Sequence, residues 1–273
     1  MNERKGFTLI ELLVVISIIA LLMSVLMPAL NKAKKHAQAA LCKENLHQWA
    51  LIWKFYVDEY ETNPHKKKGF FGDRDCANDW PMQIWEYYWK HEDPKTLREM
   101  LLCPAAKKTV DEGGRNPYMA WYNQGDQDEW ENDYGCDWPV ISSYMINLWI
   151  SDQTGAQKGI QDGFWRTPYV RNAAYGPIML CAQWKDGDPL ATDNPPEHEN
   201  DLWTPNAEEI RRCVLKRHGD YVNALFMDWS VKRVGLKEVW EIWWHKQWPQ
   251  NRTDAGEPIW PPWMEGMKRY ATD

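Results

Sequence analysis

The chain has 273 residues, a formal net charge of −7 and 19 tryptophans. An acidic chain without a block of lysines and arginines argues against general nucleic-acid binding, so no nucleic-acid partner is expected. The length is sufficient for a long helix followed by a head with its own hydrophobic core.

The amino-terminal segment from Phe7 to Leu30 carries a single ionisable side chain, Glu11. As a helix it reaches about 36 Å, at roughly 1.5 Å per residue, and so can cross a hydrocarbon core of about 30 Å. A carboxylate at that depth costs roughly 2.5 to 3.5 kcal/mol, so Glu11 requires a partner or a function. A secretory signal would have a shorter apolar region followed by a small-x-small cleavage site, and neither is present. The segment therefore predicts a membrane helix.

A short run at the start of this segment is distinctive. Lys5 followed by Gly6-Phe7-Thr8-Leu9-Ile10-Glu11 resembles the prepilin signature of type IV pilins and type II secretion pseudopilins. The resemblance implies that a prepilin peptidase cuts after Gly6 and methylates the new amine of Phe7. It also implies that Glu11 pairs with the Phe7 amine of a neighbouring subunit and sets the axial stagger of a filament. The leader would lie in the cytoplasm and the head outside it.

The predicted helix continues beyond the membrane segment. Apolar residues recur at spacings of three and four, as on one face of a helix, and Asn63-Pro64 ends the pattern. The stripe consists of Cys42, Leu46, Trp49, Trp53, Tyr56 and Tyr60. We therefore divide the chain into a leader peptide (1–6), a transmembrane half of the helix (7–30), an amphipathic half (31–61) and a Trp-rich globular head (62–273). Pro28 predicts a kink or local melting of the helix.

Short segments of the head predict strands. Residues 177–184 form one candidate, and residues 221–227 and 231–234 form a hairpin around a turn at 228–230. A helix is predicted over 236–248. These elements favour an α+β fold class, in which the long helix packs on a head with a small antiparallel sheet, as in pilins.

The head carries a second resemblance. His218 and Asp228 match the H-x9-D-G element of a large group of prepilin-like proteins, with Trp229 in place of the glycine. Cys42-Lys43-Glu44-Asn45-Leu46-His47-Gln48 resembles the C-x2-N-L-x-Q stretch of the same group, and Cys103-Pro104 resembles its Cys-Pro step. This resemblance bears on fold more than on function.

His218 and Asp228 are also the candidate chemical pair of the head. Meeting across the base of the hairpin, they would act as an acid/base pair or as metal ligands. The alternative is a histidine that hydrogen-bonds to a carboxylate or to the backbone and locks the turn. Because no nucleophile motif, phosphate loop or HExxH accompanies the pair, we expect no enzymatic activity.

Acidic and cysteine residues lead to predictions about metals and disulfides. Acidic clusters at 73–75, 126–133 and 186–188 suit calcium, although none matches an EF-hand loop, and no other cofactor is predicted. The six cysteines contain no CxxC pair, so a zinc ribbon is not expected. In a head outside the cytoplasm we expect one or two disulfide bridges.

Tryptophans in loop-like contexts offer exposed aromatic surface for sugars or for neighbouring subunits. They are Trp80, Trp85, Trp89, Trp121, Trp130 and Trp138. The alternative is that tryptophans fill the core of a loop-rich head.

Together these patterns predict a structural, prepilin-like subunit of a type IV pilus or a type II secretion pseudopilus. It would cross the inner membrane once, with its head in the periplasm or on the cell surface as part of a filament. Its partners would be prepilin peptidase and other pilin-like subunits, either copies of itself or paralogues. The alternative function is a monomeric, membrane-tethered module that binds polysaccharide.

Overall fold

The computed structural model describes residues 8–62, 99–106, 108–109, 119–122, 141–151, 155–199 and 208–271. The helices of this part are α1 (Leu9–Thr62), α2 (Trp248–Ala255) and α3 (Pro262–Glu265), with 3-10 turns at Leu148–Ile150, Glu209–Cys213, Lys216–His218 and Glu238–Trp240. Its strands are β1 (Lys108–Thr109), β2 (Met119–Tyr122), β3 (Ile141–Ser142), β4 (Tyr144–Asn147), β5 (Ala156–Gln157), β6 (Ile160–Gln161), β7 (Pro177–Cys181), β8 (Asp186–Gly187), β9 (Tyr221–Phe226) and β10 (Val231–Gly235).

The long helix α1 has two halves that differ in their surroundings. Side chains from Leu9 to Leu30 are exposed throughout. The inward stripe begins at Ala39 and continues at spacings of three and four through Cys42, Leu46, Trp49, Trp53, Tyr56 and Val57, all of them buried. The helix is continuous through Pro28, so the predicted local melting is not found. The limits of α1 agree closely with the helix expected from the sequence.

The core of the head is a five-stranded sheet in the order β10-β9-β7-β4-β8. Its neighbouring strands are antiparallel except for β4 and β8, which run parallel. β7 and β4 are buried along their whole length, so the middle of the sheet is covered on both faces. The predicted fold class, α+β with a small antiparallel sheet packed on a long helix, is confirmed.

α1 packs on β9 and β10, at one edge of the sheet. The amide of Asn223, in β9, donates to the carbonyl of Ala39 over 3.1 Å, and both residues are buried. Ten residues further along α1, Trp49 Nε1 donates to the carbonyl of Met100 over 2.9 Å. These two polar anchors fix the axial position of α1 against the head, because buried donors and acceptors must keep their partners.

The predicted hairpin is confirmed as β9 and β10, which pair from Tyr221 with Gly235 to Leu225 with Val231. Trp229 occupies the left-handed region at φ 67°, the conformation that a glycine would adopt most easily. Asp228 Oδ1 accepts a hydrogen bond from Ser230 N over 3.0 Å, which closes the turn as an Asx turn does. The turn therefore keeps the geometry expected for glycine and places a tryptophan in it.

Residues 236–248 do not form the predicted helix. They contain only a single 3-10 turn, and α2 begins where the predicted helix was expected to end. Carbonyls that a helix would use for its own amides accept from indoles instead. Trp244 Nε1 donates to Val239 O over 3.0 Å, and Trp248 Nε1 donates to Trp240 O over 3.1 Å. Tertiary packing of these tryptophans overrides the helical spacing of the sequence.

Candidate functional site

The exposed amino-terminal half of α1 begins with a local hydrogen-bond motif. Glu11 Oε2 accepts from Thr8 N over 2.9 Å and from Thr8 Oγ1 over 2.7 Å, and Glu11 N donates to Thr8 Oγ1 over 3.3 Å. This is a capping box, in which a threonine and a glutamate three residues later satisfy each other's amides. Sequence reasoning missed it, although the Thr-x-x-Glu spacing was visible.

Glu11 keeps one carboxylate oxygen for a further partner. Among the described residues, no hydrogen bond engages Oε1, because all of its contacts with Thr8 use Oε2. Gly6 and Phe7 lie outside the described residues, so the predicted pairing of Glu11 with a Phe7 amine remains a prediction.

The segment that follows Glu11 has the properties of a membrane-spanning helix. It is long and apolar enough to cross a membrane, and none of its most apolar part is buried against the head. The hydroxyls of Ser17 and Ser24 donate to the carbonyls of Val14 and Leu21, each over 2.7 Å. Polar groups within this segment are therefore satisfied inside the helix, as a lipid environment requires.

The structure separates His218 from Asp228. His218 ends the 3-10 turn before β9, whereas Asp228 follows the other end of that strand. An extended strand of six residues is roughly 20 Å long, so the two side chains cannot meet across the hairpin base. Asp228 shapes the turn through Ser230, and the predicted acid/base or metal pair with His218 is wrong.

His218 instead faces three cysteines. Its Nε2 lies 3.2 Å from Cys103 Sγ and 3.8 Å from Cys181 Sγ, and Cys181 Sγ lies 3.9 Å from Cys42 Sγ. The potential ligand atoms of all four residues lie within 4.8 Å of one another. We call Cys42, Cys103, Cys181 and His218 the Cys3His cluster.

Four separate elements contribute to the Cys3His cluster. Cys42 comes from the buried stripe of α1, Cys103 from the loop after Met100, Cys181 from the end of β7 and His218 from the turn before β9. Its three cysteines are completely buried. The absence of CxxC pairs hid this cluster from sequence reasoning, although three of its members lie in the motifs that resemble prepilin-like heads.

The cluster favours charge on one sulfur. Burial raises the pKa of the Cys42 thiol well above its usual value and that of the Cys103 thiol to about 12. Burial also opposes ionisation of Cys181, but hydrogen bonds from the other two thiols and the charge of Arg217 outweigh it, so the pKa of Cys181 is lowered. Arg217 is itself buried and donates from Nη1 to Cys181 Sγ over 3.0 Å. The guanidinium of Arg217 therefore favours ionisation of Cys181 over that of the other two thiols.

The expected disulfides are not formed among the described cysteines. Cys42, Cys103, Cys181 and Cys213 are all buried free thiols. Cys76 and Cys136 lie outside the described residues, and the predicted bridges are untested there.

One of the three predicted calcium clusters is engaged in ion pairs. Asp188 Oδ1 lies 2.6 Å from Lys158 Nζ, and Asp186 Oδ1 lies 3.5 Å from Arg212 Nη1. Both aspartates are buried, so their carboxylates serve as partners of these cations rather than as an open oxygen site for calcium. The clusters at 73–75 and 126–133 lie outside the described residues.

The tryptophans whose side chains the structure describes contribute to the core. Trp49, Trp53, Trp149, Trp165, Trp240, Trp244 and Trp248 are buried, and Trp184, Trp229, Trp243, Trp260 and Trp263 are partly buried against them. The six tryptophans predicted to be exposed lie outside the described residues, apart from Trp121, whose backbone belongs to β2.

Comparison with known proteins finds similarity in the amino-terminal segment. Residues 1–27 match the family described as the prokaryotic N-terminal methylation motif, and this match contains Gly6, Phe7 and Glu11. The chain is similar to the type IV wide pilus major component PilA4 of Thermus thermophilus, with 62% identity over 56 residues, or 20% of this chain. The matched region spans 43% of that relative, less than half of its length. No solved structure is significantly similar to the chain.

Proposed function

Because the chain is prepilin-like, we propose that it is a non-enzymatic filament subunit, processed by prepilin peptidase and assembled through the amino-terminal half of α1. In this proposal the enzyme cuts after Gly6 and methylates Phe7. The subunit waits in the inner membrane as a single-pass protein with its head on the outer side, and it polymerises with copies of itself or with paralogues.

The observation that carries the proposal is the division of α1. One continuous helix exposes its apolar side chains up to Leu30 and buries the inward side chains of its second half in the head from Ala39 onward. An exposed apolar helix of this length requires lipid or other apolar helices around it. In the membrane, lipid surrounds the exposed half of α1. In a filament, the exposed halves of neighbouring subunits would pack together and replace that lipid.

Glu11 supports an assembly role because its two oxygens can serve different partners. Oε2 accepts from Thr8 within the same helix, which leaves Oε1 for the amine of a neighbouring subunit. An ion pair of this kind inside a bundle of apolar helices lies in a medium of low dielectric constant, so losing either partner leaves a buried charge. That cost would favour the one axial stagger between neighbouring subunits in which the ion pair forms.

A type IV pilus and a type II secretion pseudopilus are both consistent with this arrangement. The similarity to a type IV wide pilus component favours the pilus. The alternative of a tethered polysaccharide-binding module is not favoured, because the methylation motif and the similar pilus component both support a filament subunit.

The decisive experiment sequences the amino-terminal peptide of the protein by mass spectrometry, in a sheared surface fraction and in a membrane fraction. Methylated Phe7 as the first residue of the sheared material is expected for a pilus. The same peptide confined to membranes would indicate a pseudopilus. An intact Met1 in both fractions would overturn the proposal.

Two variants separate assembly from helix capping. Glu11→Ala is expected to abolish the sheared material while the protein remains in the membrane. Thr8→Ala removes both hydrogen bonds of the Thr8 hydroxyl, the one to Glu11 Oε2 and the one from Glu11 N, but keeps the Glu11 carboxylate, so filaments should persist. Equal defects in the two variants would mean that Glu11 acts only as a cap.

A further inference from the structure

We propose that the Cys3His cluster is a structural zinc site that fastens α1 to the sheet of the head. Cys42, Cys103 and Cys181 would bind the ion through sulfur, and His218 would bind it through Nε2. The proposal concerns the folded head and does not depend on filament assembly.

The distances within the cluster fit a tetrahedral ion. Zinc binds sulfur at about 2.3 Å and nitrogen at about 2.0–2.1 Å, so tetrahedral angles place two sulfurs about 3.8 Å apart and a sulfur and a nitrogen about 3.5 Å apart. The observed separations are 3.9 Å between Cys42 and Cys181, and 3.2 and 3.8 Å from His218 Nε2 to Cys103 and Cys181. An ion at the centre of the four atoms requires only small adjustments of the side chains.

The chemical types of the four ligand atoms favour zinc over calcium and magnesium. Three thiolates and one imidazole form one of the usual ligand sets of structural zinc, whereas calcium and magnesium take oxygen ligands. All four donors converge on one point, which suits a single ion. The three cysteines are fully buried, and four protein ligands complete a tetrahedral shell, so the site is closed and has no position for a substrate.

The net negative charge of the proposed zinc centre would be balanced by Arg217. Three thiolates and one Zn²⁺ leave one negative charge, which is costly to bury alone. Arg217 supplies a positive charge next to Cys181, and its position is fixed by hydrogen bonds to the carbonyls of Ser143 and Ala182 over 3.1 and 3.2 Å. The hydroxyl of Tyr144 lies 3.5 Å from Cys42 Sγ and gives that sulfur a donor as well. Contacts of this kind around the ligands raise metal affinity.

The orientation of His218 also suits metal binding. Nε2 faces the sulfurs, while Nδ1 is buried and has no hydrogen-bond partner in the part of the chain that the structure describes. A tautomer that carries its proton on Nδ1 would present the lone pair of Nε2 to the centre of the cluster.

The location explains what the ion would do. Cys42 lies three residues after Ala39, where α1 first becomes buried, while Cys181 and His218 lie next to the central strands. A metal at this point joins the helix that leaves the membrane to the interior of the head. Its binding energy would add directly to the folding energy of the head.

The test measures metal in the full chain, purified in mild detergent under reducing conditions without chelator. We expect one zinc ion per chain by elemental mass spectrometry. Cys103→Ser and Cys181→Ser should lose it. Cys213→Ser is the matched control, because Cys213 is also buried and free but donates to Ile210 O outside the cluster, so this variant should retain the zinc.

A second measurement does not depend on the variants being folded. Replacing zinc by Co²⁺ in the wild-type chain should give the intense spectrum of tetrahedral cobalt with thiolate-to-metal charge transfer, and chelation should lower the melting temperature. The proposal is overturned by wild-type protein without stoichiometric zinc, by copper in its place, by octahedral cobalt, by a Cys42–Cys181 disulfide, or by equal zinc loss in Cys213→Ser.

Discussion

His245 provides a quantitative test of how the core responds to acid. The side chain is completely buried, and its ring packs against Trp149 in a tilted arrangement and against Trp248 edge to face, with centroids 4.8 and 5.3 Å away. Neither ring nitrogen has a hydrogen-bond partner within the described residues. Burial without a polar partner lowers the pKa of His245 to about 4. The folded protein therefore holds this imidazole neutral, while the unfolded chain protonates it near its ordinary pKa of about 6.5.

The sign of the resulting pH dependence follows from proton binding. Between about pH 6.5 and pH 4 the unfolded chain binds a proton at this residue that the folded chain does not, so the free energy of unfolding falls as the pH falls. Each pH unit in this window is worth about 1.4 kcal/mol, which gives a loss of about 2 kcal/mol at pH 5 and almost none at pH 7.5. The stability that depends on a neutral His245 is therefore fully present above the pKa of this residue in the unfolded chain.

The variant His245→Phe should remove this dependence. Phenylalanine can occupy the same aromatic site, and any overpacking cost of about 1 kcal/mol is independent of pH. Relative to wild type, the variant should therefore gain about 2 kcal/mol in unfolding free energy between pH 7.5 and pH 5. The measurement is denaturant unfolding of the full chain in detergent, followed by tryptophan fluorescence at both pH values.

A matched control uses the exposed imidazole of His47 on α1. His47→Gln removes a histidine from an exposed position of the same chain and is measured in parallel at both pH values. The reasoning about His245 is refuted if the wild type and His245→Phe lose the same stability on acidification.

Three further predictions concern the hairpin, the stripe of α1 and the cluster. Trp229→Gly should be more stable than Trp229→Ala by about 1 kcal/mol in denaturant unfolding, since both lose the indole but only alanine retains the strain of positive φ. A reversed order would contradict the left-handed turn. Leu46→Ala, in the buried stripe, should cost about 2 to 5 kcal/mol, whereas Leu51→Ala, on the exposed side of the same helix, should change stability by less than about 0.5 kcal/mol. If zinc is bound as proposed, Tyr144→Phe should weaken its affinity roughly tenfold in a chelator competition, because Cys42 loses a hydroxyl donor; unchanged affinity would exclude that role.

Local patterns were sufficient to predict the elements that local physics controls. The apolar run and the three- and four-residue spacing after Cys42 gave the limits of α1, because a helix is defined by residues close in sequence. The alternation around the turn at Asp228 gave the hairpin for the same reason. The segment 236–248 had helical spacing as well, but its tryptophans bond to carbonyls of their own segment and pack in the core, which no local rule predicts.

The Cys3His cluster could not be predicted from spacing. A search for CxxC pairs detects only ligands that one turn brings together, whereas these four residues meet because α1 crosses the sheet edge next to β9. His218 was recognised as a candidate from its motif, but it was paired with Asp228, the other polar residue of that motif. In the structure, the neighbours of His218 are Cys42 and Cys103, from the other two motifs that resemble prepilin-like heads, and Cys181 of β7.

The continuity of α1 constrains how the subunit can move. The second half of this helix supplies the buried stripe of the core, so the head shares one continuous helix with the exposed apolar segment. Any shortened soluble form must therefore begin before Ala39, or it will expose an apolar trough where the helix belongs. If the subunit assembles as proposed, residues 8–30 can exchange lipid for neighbouring helices without disturbing the buried interior of the head, because the inward stripe of α1 begins only at Ala39.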